Sequence, residues 1–145
     1  MRKILLALTF ACVATLAPLA QVATPITVYK TPTCGCCGKW VDHMRANGFN
    51  PTVNDLPNLT AIKASTGVPQ NLQSCHTSVV GGYAIEGHVP ADVVRQLLKE
   101  KPKVAGIAVP GMPLGSPGME QGPQKDRYNV VAFGKDGSQK VYASR

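Results

Sequence analysis

The chain of 145 residues is long enough for one domain with its own core and too short for two of ordinary size. Its net charge of +7 comes from scattered Lys and Arg, and aromatic residues make up only 6%, so the basic stripes and stacking platforms of a nucleic-acid binder are missing. Beyond the N-terminal segment no apolar run approaches the roughly 20 residues of a membrane span, so an integral membrane protein is not expected.

Met1-Arg2-Lys3 is basic, Ile4 to Leu16 is apolar, and small residues follow at Ala17, Ala20 and Ala23, the layout of a secretory signal peptide. Residues 1–23 are therefore expected to be removed, with the cut within 21–24, because neither Ala20 nor Ala23 completes an Ala-x-Ala site. A lipidated Cys12 is a minor alternative, disfavoured because the apolar segment runs well past it and Thr9 stands where such sites usually carry Leu. Without Arg2 and Lys3, 13 basic residues face 8 acidic ones, a net +5. An exported protein meets an oxidising compartment, where Cys34, Cys36, Cys37 and Cys75 would ordinarily pair as two structural disulfides. Their crowding opposes that, because bridges between the closest neighbours are strained and a stapling framework closes longer loops.

In chain order, residues 25–31 alternate in period two and are rich in β-branched types, which predicts a strand ending at Pro32. Next comes Thr33-Cys34-Gly35-Cys36-Cys37-Gly38-Lys39. Thiolates are soft ligands that select copper(I), zinc and iron–sulfur clusters, and a helix N-terminus favours the thiolate. Cys34 and Cys37 also form a Cys-x-x-Cys pair that fits a dithiol redox centre, and spacing alone does not choose. Cys37, Trp40, Val41 and Met44 fall on one face of a helix that Gly48 closes, so Met44 is read as core and His43, on the polar face, as solvated.

Residues 49–56 read as a weaker second strand, and Leu59 to Thr66 as a short helix ended by Gly67. Thr77 to Val80 and Tyr83 to Val89 predict a hairpin around Gly81-Gly82. Pro90 is expected at the first position of a helix whose apolar face is Val93, Val94, Leu97 and Leu98 and which ends near Pro102. Residues 105–124 hold five Gly and four Pro with no regular period and are expected to form an irregular arm. The arm contains a near-repeat of seven, from Pro110 to Ser116 and from Pro117 to Pro123, each unit offering a methionine, Met112 or Met119. Thioethers are soft ligands and Pro-Gly turns make a poor core, so both are candidate metal ligands. Tyr128 to Phe133 and Gln139 to Ala143 predict a closing hairpin.

The order β-α-β-α-β-β-α, with Cys-x-x-Cys at the end of the first strand, resembles thioredoxin-like domains. That layout implies that Ser74-Cys75-His76-Thr77 faces Cys34-Gly35-Cys36-Cys37, that Glu86-Gly87-His88 returns to the same rim, and that Cys75-His76-Thr77 replaces the segment that usually carries a substrate-receiving proline. Cys34, Cys36, Cys37, Cys75, His76, His88, Met112 and Met119 form a set too soft and crowded for calcium or magnesium. Adjacent Cys36 and Cys37 do not readily share one tetrahedral zinc. Several copper(I) ions would balance four thiolates, so a multinuclear copper site is expected, with zinc or iron–sulfur as lesser alternatives.

On the Cys-x-Cys-Cys motif, Ser74-Cys75-His76-Thr77, Glu86-Gly87-His88-Val89-Pro90-Ala91, Val109 to Pro113 and Gly115 to Glu120, the chain resembles the CopG-type family of exported bacterial copper-resistance proteins. The resemblance implies a thioredoxin-like domain over 24–104, a metal-binding extension over 105–145, a cysteine-bridged copper cluster and interconversion of Cu(I) and Cu(II) during detoxification. Copper ions and periplasmic copper-efflux components are the expected partners, and a monomer is the expected form. A periplasmic thiol-disulfide oxidoreductase using Cys34 and Cys37 is the competing expectation.

Overall fold

The computed structural model describes residues 22–145. The signal-peptide expectation, like the alternative at Cys12, falls mainly on residues outside that range. The described chain is a mixed α/β structure with a seven-stranded sheet and three α-helices. No helix among the described residues is long and apolar enough to cross a membrane.

Strand β1 (Thr24–Lys30) leads into α1 (Gly35–Ala46), β2 (Phe49–Asp55) and α2 (Thr60–Ser65), followed by a short 3-10 turn at Gln70–Leu72. The hairpin of β3 (Thr77–Val80) and β4 (Tyr83–Glu86) precedes α3 (Ala91–Glu100), and β5 (Gly106–Ala108), β6 (Asn129–Phe133) and β7 (Gln139–Ser144) complete the sheet. The strands lie in the order β2-β1-β3-β4-β5-β6-β7. The β1–β2 and β4–β5 pairs are parallel and the others antiparallel. Pro51 lies on β2, an edge strand, the place in a sheet where proline is ordinarily found.

Period-two alternation along the central strands separates two apolar clusters. Ile85, Ile107 and Ala132 join the larger one with Trp40, Val41 and Met44 of α1 and Val93, Val94 and Leu97 of α3. Their chain neighbours Ala84, Ala108 and Phe133 join Val68 and Leu72 in the smaller cluster. The predicted face of α1 is therefore its buried face, and Met44 is core.

Three local expectations need correction. Strand β4 stops at Glu86 rather than Val89, because Gly87 adopts a φ of 71° that breaks the extended run. Pro90 caps α3 from an extended conformation (φ −63°, ψ 142°) instead of opening it. The arm expected to be irregular from residue 105 starts with β5, a buried strand too short to show a period. Gly106 is required there because a Cβ would collide with the backbone of Ala84 on the neighbouring strand.

Candidate metal centre

Two chain segments that are 38 residues apart meet at the N-terminus of α1. Cys34 is the N-cap of α1, and its carbonyl accepts the Gly38 N–H at 3.3 Å. Cys36 and Cys37 lie in the first turn, where no acidic side chain competes with a thiolate for the free N–H groups. Cys75 comes from the loop before β3, with its carbonyl 3.9 Å from the Cys37 Sγ. The four sulfurs of Cys34, Cys36, Cys37 and Cys75 all lie within 4.8 Å of one another.

Cys34 and Cys37 are joined as a disulfide, while Cys36 and Cys75 are free. The i, i+3 spacing across the start of the helix brings the two Cα atoms to 5.4 Å, well inside the range a bridge needs. The expectation that crowding opposes bridging thus holds for adjacent cysteines and not for this pair. The Cys36 Sγ stands 3.5 Å from the Cys34 Sγ. Burial, reinforced by Cys36, pushes the Cys75 thiol up to about 12, so ligation of an ion by Cys75 would release a proton.

Cys75 also belongs to a second group, with His76 and His88. Its Sγ is 3.0 Å from the His88 Nε2 and 3.4 Å from the His76 Nδ1. Both rings are buried, and desolvation holds both below the usual histidine range, in the neutral form that binds metals. The neighbouring His88 and Lys63 depress His76 further. With Nε2 turned to Cys75, the His88 Nδ1–H donates to the Pro117 carbonyl at 2.8 Å, the arrangement that fixes the tautomer and orientation of a metal-ligating histidine. The His76 Nε2 is buried without a hydrogen-bond partner. A soft set of one thiol sulfur with a neutral imidazole nitrogen 3.0 and 3.4 Å from it on either histidine fits a copper-type ion.

The arm reaches the same corner from both halves of its repeat. The Ser74 hydroxyl donates to the Gly111 carbonyl at 2.5 Å, next to Met112, whose side chain is 53% exposed. Gly118, beside half-buried Met119, packs so tightly that a Cβ would lie 2.7 Å from the Cys36 carbonyl and 3.4 Å from the His88 ring. The Pro117 carbonyl carries no sequence signal of its own, since any residue offers one. The structure thus gathers Cys34, Cys36, Cys37, Cys75, His76 and His88, and brings the backbone next to each methionine to the edge of that group.

His43 is not the solvated residue expected from the helical wheel. It is half-buried, and its Nε2 accepts the Ala91 N–H at 3.1 Å, capping α3 from α1. Burial outweighs Glu120 and Asp92 and lowers its pKa from 6.5. The unfolded chain therefore takes up this proton first, so the contribution of His43 is fully present above pH 6.5 and is lost as pH falls below it. His43→Ala is expected to cost about 1 kcal/mol at pH 8, the usual worth of a cap. It should also weaken the acid-side loss of stability, leaving the part with the same sign from His76 and His88. Denaturant titrations at pH 8 and pH 5.5 check both; equal losses at the two values would contradict the cap.

The family model described as "Protein of unknown function, DUF411" matches residues 72–119, the stretch that contains Cys75, His76, His88 and both arm methionines. Two solved structures titled "Copper resistance protein copG- Form 1" and "Copper resistance protein copG- Form 2" are each 43% identical to this chain, with a TM-score of 0.81. Each match covers 85% of this chain and 98% of the other. No curated protein matches. At that identity over nearly the whole length of those structures, the chain belongs to the CopG family of copper resistance proteins.

Proposed function

We propose that this protein binds copper in the periplasm through a cysteine-bridged, multinuclear site and interconverts Cu(I) and Cu(II) as part of copper resistance. The observation that carries the proposal is the convergence of four cysteine sulfurs within 4.8 Å, with two buried imidazoles beside one of them. Cys34, Cys36, Cys37 and Cys75 would hold copper once the Cys34–Cys37 bridge is reduced, with His76 and His88 at the Cys75 end. Copper held there is a one-electron couple. The protein's own part is to gather cysteines at the α1 N-terminus, to aim His88 through Pro117 and to keep water from the buried side of the group. Titles of the matching structures support copper as the metal.

In the same proposal residues 24–104 are a thioredoxin-like domain and residues 105–145 an extension that contributes to the site. The element order and the hydrogen bonds from Ser74 to Gly111 and from His88 to Pro117 support this division. Residues 1–23 act as the signal peptide, copper-efflux components are the partners, and the working form is a monomer. Met112 and Met119 supply soft sulfur at the edge of the group. Changing both to Leu keeps size and apolarity, so stability should fall by less than about 1.5 kcal/mol while Cu(I) affinity weakens several-fold. A large loss of thermal stability with unchanged affinity would return both residues to a packing role.

The Cys34–Cys37 disulfide favours a second reading, a thiol-disulfide oxidoreductase. Exchange needs an accessible attacking thiolate. Cys37 is fully buried and Cys34 is crowded by Cys36, against whose carbonyl the arm packs at Gly118, which argues against a protein substrate. Insulin reduction by apo and copper-loaded protein, measured beside a reversible copper redox titration, separates the readings. A reversible copper couple with feeble insulin reduction is expected. Copper-independent reduction comparable to a thioredoxin, with no reversible couple, would favour the oxidoreductase.

A further inference from the structure

Cys75 and His76 sit in a loop with no regular secondary structure, between the 3-10 turn and β3. A loop that carries ligands must be held by something other than a ladder of backbone bonds. Here a buried ion pair does so. Lys63 on α2 and Glu86 at the end of β4 are both buried, and the Lys63 Nζ meets the Glu86 Oε1 at 2.5 Å.

Each partner also grips the residues that flank Cys75 and His76. The Ser74 N–H donates to the Glu86 Oε1 at 2.6 Å, and the Lys63 ammonium donates to the Ser74 carbonyl at 2.9 Å. The Thr77 hydroxyl donates to the Glu86 Oε2 at 2.7 Å and stands 3.2 Å from the Lys63 Nζ. Both backbone polar groups of Ser74 and the side chain of Thr77 are thereby fixed by one pair of charges. Glu86 is also two residues from His88, so the pair ties the Cys75 loop to the loop that presents His88.

We infer that Lys63 and Glu86 are positioning residues for the metal site: their ion pair clamps Ser74 and Thr77 and so sets where Cys75 stands relative to the Cys-x-Cys-Cys turn and His88. The inference rests on the copper-site proposal. Apolar pairs of equal volume often replace buried ion pairs without loss of stability, so the pair is weak evidence for a stabilising role alone. What it supplies here is charge-assisted hydrogen bonds to an irregular segment.

The test uses the reduced full-length mature chain, with Glu86→Gln and the double change Lys63→Gln/Glu86→Gln, which removes both charges while keeping hydrogen-bonding groups. Two quantities are read: alkylation rates of Cys75 and Cys37 in the apo protein, and Cu(I) affinity by competition with a chromogenic chelator. A loosened clamp should raise Cys75 alkylation several-fold with Cys37 unchanged. Affinity should drop by about 10–100-fold, the usual effect of losing an outer partner of a metal ligand. Wild-type values for both quantities would overturn the inference by showing that the pair does not set the position of Cys75. Cys75 and Cys37 accelerating together, or failure of both variants to fold, would overturn it by assigning the pair to global stability. If the wild-type chain itself takes up no copper, the copper proposal fails, while the contrast between Cys75 and Cys37 still decides the clamp.

Discussion

Cys75→Ser is expected to remove the greater part of the bound copper, because Cys75 is the one residue shared by the four-cysteine group and the Cys75, His76, His88 group. A serine hydroxyl is nearly the size of the thiol but is a hard, weak ligand, so the change isolates the sulfur. The loss of Cu(I) affinity should exceed the ~10–100-fold typical of losing an outer partner, since a direct ligand is removed. Cys75 is half-buried, and a serine hydroxyl can still donate to the His88 Nε2 that the Cys75 Sγ faces at 3.0 Å, so the fold should survive. Metal analysis of the purified variant beside the wild type, with apo-protein thermal melts as the control, checks this. Full copper content in the variant would place Cys75 outside the site.

An effect of similar size is expected from the oxidation state of Cys34 and Cys37. The bridge and ligation by these two sulfurs exclude each other, because a cysteine ligates as its thiolate. With the bridge closed, Cys36 and Cys75 are the free thiols left of these four cysteines, beside His76 and His88. Disulfide-locked protein should therefore lose most of its Cu(I) capacity, and reduction before loading should restore it. Parallel anaerobic Cu(I) titrations of both forms, with free thiols counted in each, measure the difference. Equal capacity would mean that Cys34 and Cys37 contribute nothing to the site.

Much of the site was legible because the chemistry is concentrated in few residue types. Three cysteines at the end of a period-two run, before a 3.6-period face, place themselves at a strand-to-helix junction, and the elements lie there. The alternation of β3 and β4 around Gly81-Gly82 made their hairpin readable, and with it the approach of Cys75 and His88. What escaped were contacts that depend on tertiary placement. Lys63 reads as an ordinary surface lysine of a short helix, and nothing local shows that Glu86 will meet it across 23 residues. The cap that His43 provides joins residues 48 apart, so the helical wheel of α1 could only assign it to the polar face. Strand β5 is three residues long and owes its existence to pairing with β4 and β6.

The central claim is that the four cysteines bridge more than one copper ion. X-ray absorption at the copper edge of reduced, Cu(I)-loaded protein tests it most directly, because the scattering reports both the donor atoms and any neighbouring copper. A sulfur-dominated first shell with a short copper–copper vector is the predicted result, and that vector should disappear in Cys75→Ser. A first shell of nitrogen or oxygen alone, or a sulfur shell with no copper–copper vector at full loading, would contradict it.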